Sequence, residues 1–155
     1  MQLVHNVIPY HVVALFRDNR GAELTKWGDK EYGVLIGLGK TAMNRKSAFI
    51  LGVNEMGDGE ILCAALFMIA NGRITFLFSG LSEKGKERQA MTFLMDQVIR
   101  QYAAKPLVLD FEGSDDENLA RFYLGFGGEE KKYPSYSFNK LSGLEKSMLK
   151  LWKKR

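Results

Sequence analysis

The clearest hydrophobic pattern lies in the middle of the chain, where Ala48 to Val53, Ile61 to Ala70 and Ile74 to Phe78 are β-rich apolar runs. Gly57-Asp58-Gly59 separates the first two and Asn71-Gly72 the last two. Asn-Gly supplies the positive φ angles of a two-residue hairpin turn, so three antiparallel strands in series are predicted. The last two runs are apolar almost throughout, which predicts cover on both faces.

Helical spacing appears on either side. Tyr32, Leu35, Ile36, Gly39, Ala42 and Met43 fall on one face of a helix over 29–44, with Asp29 as its N-cap. Gly33, Gly37 and Gly39 lower its intrinsic stability, so close packing must hold it. Residues 1–27 are weakly patterned; Val12, Val13, Leu15 and Phe16 suggest a short helix ending near Gly21, and no first strand is evident. Met91, Leu94, Met95, Val98, Ile99 and Tyr102 form the stripe of a main helix over 86–103. Pro106 then restarts the chain as a buried strand, Leu107 to Phe111. Strand, helix and strand in that order predict a right-handed crossover with parallel pairing. A short helix at about 115–125, a Tyr-rich strand at about 131–140 and a tail helix follow; Ser142 to Glu145 is a capping box, and Leu144, Met148, Leu151 and Trp152 make a stripe. The expected class is α/β with a mixed sheet, a meander followed by one parallel crossover.

Composition narrows this little. The 155 residues predict one domain, and 46% hydrophobic with 26% charged residues is globular. No apolar run is long enough to span a bilayer as a helix, and no signal peptide is read at the start. Cys63 alone cannot form an internal disulfide, which favours a reducing, cytoplasmic setting. His5 and His11 lack ligand spacing, so no metal site is expected. The net charge of +4 permits an anionic partner without announcing one. Much of the excess is Lys146, Lys150, Lys153, Lys154 and Arg155, which a solvated helix face explains.

Two segments carry candidate chemistry. Ser82-Glu83-Lys84-Gly85-Lys86-Glu87-Arg88 leaves a strand and opens a helix. Helix starts present unpaired N–H groups and positive dipole ends, which suit phosphate. Gly85 permits close backbone approach, and Lys84, Lys86 and Arg88 add charge. The plain alternative is a solvated helix start with Glu87 serving the dipole. The second segment is Asp110-Phe111-Glu112-Gly113-Ser114 with Tyr123 beyond it. Strand alternation puts Val108, Asp110 and Glu112 on one face. Glu112 could act as a base, whereas either carboxylate could instead cap the turn or pair with a cation. If Phe122 is core, Tyr123 faces a cleft, where a phenol could protonate a leaving group; it could equally be a surface tyrosine packing by its ring. Tyr133 and Tyr136 read as strand packing.

This order of elements resembles the GNAT acyltransferase superfamily over about residues 30–140. Asp110 to Ser114 with Phe122-Tyr123 and Phe126-Gly127 is closer to its FemAB-like branch, which includes peptidoglycan aminoacyltransferases. The resemblance implies two central strands that splay apart. It implies acetyl-CoA or another acyl-CoA, its pyrophosphate held by Ser82, Lys84, Gly85, Lys86, Glu87 and Arg88. It also implies transfer to a small-molecule or peptide amine, with Glu112 as base and Tyr123 as acid. The loop keeps one glycine of the usual pattern, and Asp116 stands where asparagine is usual. FemAB-like proteins often carry two such halves, so the chain reads as a single domain, or as a C-terminal half that packs on a second half or on another copy. A catalytically silent half and an aminoacyl-tRNA-dependent transferase are the alternatives; the tail lysines are the only candidates for a tRNA groove.

Overall fold

A computed structural model describes residues 1–21, 23, 25–57, 59–112, 116–136, 138, 141, 149 and 152. Five strands form one mixed sheet in the order β1-β2-β3-β4-β5: β1 (Gln2–Val4), β2 (Ala48–Asn54), β3 (Ile61–Ala70), β4 (Arg73–Leu81) and β5 (Val108–Asp110). The first four pair antiparallel, and β4 pairs β5 in parallel. The expected α/β mixed sheet, meander then parallel crossover, is therefore the observed one.

The central hairpin forms as its turn residues predict, with φ of 51° at Asn71 and 73° at Gly72. β3 is buried along Leu62–Phe67 because both faces are covered. Ala64 and Leu66 meet Val7 and Val12 on one side; Cys63, Ala65 and Phe67 meet Leu94, Met95 and Val98 on the other. Helix α1 (Pro9–Phe16) begins with Pro9 at its first turn, where no N–H is needed, and continues as one π-helical turn, Arg17–Gly21. Helix α2 (Asp29–Asn44) buries Tyr32 and Gly39 and half-buries Leu35, Ile36, Ala42 and Met43, the predicted face. Its N-cap is Gly28 rather than Asp29; Glu31 accepts the Gly28 N–H at 2.9 Å, and Asp29 pairs with Arg17 instead.

Three expectations are corrected. The chain has a first strand: Gln2–Val4 pairs with Gly52–Asn54. Three residues are too few to show alternation, so only the neighbour reveals it. The main helix is two pieces, α3 (Glu83–Glu87) and α4 (Ala90–Tyr102), parted at Gln89 with φ of 53°. Gly85 is pinned to β3 while Ala90 onward must lie in the core, and the left-handed residue re-aims the chain between them. Residues 131–136 and 138 form no strand; Tyr133, Tyr136 and Phe138 are at least 78% exposed. A β-prone composition makes a strand only where a neighbour supplies hydrogen bonds and packing. The tail capping box, Leu144, Met148, Leu151 and the tail cations lie outside the described residues; Trp152 is exposed.

β4 carries the feature that positions the site. Leu66 pairs with Phe78 but Phe67 with Phe76, so Leu77 is one extra residue. Such a bulge bends its strand and reverses which face later side chains occupy. Ile74 and Phe76 accordingly join the α4 side, whereas Phe78 joins the α1 side. Gly80 shares that second face, and a Cβ there would lie 2.6 Å from the Val12 carbonyl oxygen and 2.7 Å from the Phe16 nitrogen. The missing side chain lets α1 lie directly on β4. Among the described residues, no helix is long and apolar enough to cross a membrane.

Candidate functional site

Pairing between β4 and β5 covers only Arg73–Val108, Ile74–Leu109 and Thr75–Asp110. Beyond it β4 runs on to Leu81 through its bulge, and β5 ends. The pair therefore forks after Thr75 and Asp110. Arg73 closes the base of the fork, its guanidinium 2.5 Å from the Asp110 carboxylate. The other Asp110 oxygen accepts the Glu112 N–H at 2.9 Å. Asp110 is thus a turn-former and ion-pair partner, the structural alternative raised for it above.

Glu112 does not continue the strand alternation. β5 stops at Asp110, and Glu112 adopts φ of 65°, a left-handed conformation that turns the chain out of the sheet. Its side chain is exposed. Asp116, not Glu112, caps the next helix, α5 (Glu117–Leu124), accepting the N–H groups of Asn118 at 2.8 Å and Leu119 at 3.3 Å. Glu112 is left with an exposed carboxylate beside the fork. Gly113 and Ser114 lie outside the described residues.

Tyr123 sits in the fork itself. Phe76 is the first residue of β4 beyond the last pair, and Phe111 the first beyond β5. The Tyr123 ring stacks on Phe111 at 4.7 Å and 19° and meets Phe76 edge-on at 6.3 Å and 81°. Phe122 packs against the same core, its ring 5.8 Å from Tyr123, so the two neighbours do not face different sides. Eight residues of α5 lie across a ring cluster rather than one apolar seam, and neighbouring positions both reach it. Burial pushes the Tyr123 phenol above its ordinary pKa, because the phenolate loses solvation there. The group therefore holds its proton at neutral pH, which suits an acid and not a base.

The 82–88 turn is built as follows. Ser82 N-caps α3: its Oγ accepts the Gly85 N–H at 3.0 Å and donates to the Leu62 carbonyl at 3.0 Å. Gly85 is buried, and a Cβ there would lie 2.2 Å from the Leu62 oxygen. Its lack of a side chain serves contact with β3, not approach to a ligand. The cations are engaged: Lys84 by Glu55 at 3.0 Å and Glu60 at 3.5 Å, Arg88 by Glu55 at 3.1 Å, Lys86 by Glu83. Glu87 is exposed. Glu55 and Glu60 come from the β2–β3 loop, and no local pattern in the sequence marks them. Helix α4 starts at Ala90 with Gln89 as an N-cap that makes no side-chain cap hydrogen bond. Its first turn, opening at the fully buried Ala90, begins a few residues beyond the turn expected to hold phosphate.

Two clefts lie away from these residues: one of about 170 Å³ between Ile74, Tyr102 and Leu109, another of about 360 Å³ between α1 and α2. Among the described residues, no His, Cys, Asp and Glu group could hold a metal.

No protein-family model matches the chain, and no curated protein does. Solved structures do. A probable acetyltransferase superposes with a TM-score of 0.68 at 12% identity, covering 92% of this chain and 99% of that one. AAC(6')-Iy, bound to the bisubstrate analogue CoA-S-monomethyl-acetylneamine, gives 0.62 at 12% identity, over 90% and 98%. A GNAT-family protein from Desulfovibrio desulfuricans gives 0.60 at 13% identity, over 84% and 86%. The chain has the GNAT acetyltransferase fold. It spans nearly the whole length of the first two of these proteins.

Proposed function

We propose that the chain is an N-acyltransferase that moves an acyl group from acyl-CoA to an amine. The observation that carries this is the fork between β4 and β5, with the protonated Tyr123 phenol resting on the two residues where the strands part. Structurally similar acetyltransferases, one bound to a CoA-linked analogue, support the class.

Bound acyl-CoA would supply the activated thioester. Tyr123 holds a proton at its hydroxyl for the departing sulfur, and Glu112 takes one from the attacking amine, directly or through water. Lys84, Lys86 and Arg88 offer charge for phosphate. The acceptor is a small-molecule or peptide amine, and the setting is a reducing cytoplasm, which the lone Cys63 suits. The sequence Asp110 to Ser114 with Phe122-Tyr123 and Phe126-Gly127 supports the FemAB-like branch. A second reading is a silent acetyltransferase-like domain that binds a partner; the carboxylates already seated on Lys84, Lys86 and Arg88 favour it. No observation favours the tRNA-dependent alternative.

Acetyl-CoA at ten times its dissociation constant should stabilise the folded chain by about 1.4 kcal/mol. A thermal shift of that size, together with acetylation of a panel of amines, supports the first reading. No shift up to millimolar ligand leaves the second.

A further inference from the structure

Glu55 makes a contact that the proposed reaction does not use. It leaves β2 at its end and reaches across to the 82–88 turn. One carboxylate oxygen lies 3.0 Å from Lys84 Nζ and the other 3.1 Å from Arg88 Nε. The Glu55 side chain is 28% exposed, while Lys84 and Arg88 are 37% and 60% exposed. The carboxylate therefore sits inside the pair of cations rather than outside it. Two oxygens of one anion, each on a different cation, is the arrangement a phosphate would make there. The turn itself is fixed to the start of β3, just past the loop that carries Glu55, because Ser82 donates through both N–H and Oγ to the Leu62 carbonyl. With Glu60 and Glu83 also engaged, the turn presents no net positive charge to an incoming anion.

We propose that Glu55 is a phosphate-mimicking gate on this turn, holding Lys84 and Arg88 until a polyphosphate ligand displaces it. The proposal rests on the acyl-CoA reading above and adds a residue that sets how tightly such a donor binds. A carboxylate and a phosphate compete for the same two cations, so removing the carboxylate's charge favours the phosphate. Exposed ion pairs are each worth a few tenths to one kcal/mol, so two of them set a gain of roughly tenfold in affinity.

The experiment is calorimetric titration of the full chain and its Glu55→Gln variant with CoA and with inorganic pyrophosphate, at low and high salt. About tenfold tighter binding of both ligands by the variant is expected, shrinking as salt rises. Adding Arg88→Gln to that variant should remove most of the gain. Equal affinities for the two proteins would overturn the gate and leave the acyl-CoA reading standing. Binding by the variant alone would support the gate and overturn acyl-CoA as the native donor. Binding by neither would overturn both. Should Glu55→Gln fail to fold, Glu55→Asp, too short to span both cations, should give a smaller gain in the same direction; no gain there counts against the gate.

Discussion

The rings of Tyr123 and Phe111 lie nearly parallel, 4.7 Å apart, at the point where β5 leaves β4. Ring packing and hydroxyl chemistry are separable at this residue. Tyr123→Phe keeps the stack and the edge contact with Phe76, so stability should change by less than about 0.5 kcal/mol. Loss of the acidic hydroxyl should lower turnover by roughly 10²–10⁴. Tyr123→Ala should instead destabilise the fold by about 2 kcal/mol, since it empties a half-buried ring site. Urea melts beside steady-state rates check both. Unfolding by Tyr123→Phe would make the hydroxyl structural and end its role as an acid.

Glu112→Gln keeps shape and backbone while removing the base. Turnover should fall about tenfold or more. Glu112→Gly has a second effect: glycine adopts the observed φ of 65° without steric cost. Its stability should hold or rise by up to about 1 kcal/mol, while activity falls as in the glutamine variant. Full activity in both variants would place the base elsewhere.

Glycines should separate by what surrounds them. Gly85→Ala forces a Cβ to within 2.2 Å of the Leu62 oxygen, which is backbone and cannot step aside. A loss of about 2 kcal/mol or more is expected. Gly33 and Gly37 lie inside α2, exposed, with nothing within 4 Å of a built Cβ. Alanine at either should raise stability by about 1 kcal/mol. Chemical denaturation of the three single variants gives the ranking directly.

Cys63 is fully buried, and burial pushes its thiol from 9.0 up to about 12. The folded state keeps this proton while the unfolded chain loses it, so stability is complete below pH 9 and falls as pH rises toward 12. The slope approaches about 1.4 kcal/mol per pH unit within that window. Cys63→Ala should be less stable at neutral pH yet show a shallower alkaline loss. The native thiol should resist alkylation until the chain unfolds.

Much of the fold is legible along the chain because its signals are local. Asn71-Gly72 specifies its own turn, and the Leu94, Met95 and Val98 stripe specifies a helix face whatever covers it. The two carboxylates at the end of β5 are equally visible, but their roles are not. Asp110 is taken by Arg73, thirty-seven residues earlier. Glu112 leaves the alternation because β5 has only three paired residues. Strand β1 escapes notice for the same reason, since three residues acquire meaning only against β2.

By itself the sequence determined the meander, the crossover and the parallel strand, since turn chemistry and hydrophobic period act between near neighbours. Tertiary structure decided the rest. The bulge at Leu77 puts Ile74 and Phe76 on the α4 side of the sheet and Phe78 on the α1 side, a switch set by the register with β3. Gly85 faces Leu62 rather than a ligand, and Glu55 comes to rest between Lys84 and Arg88. These are contacts between residues far apart in the chain, brought together by burial of the sheet's two faces, and no spacing within the sequence encodes which of them will meet.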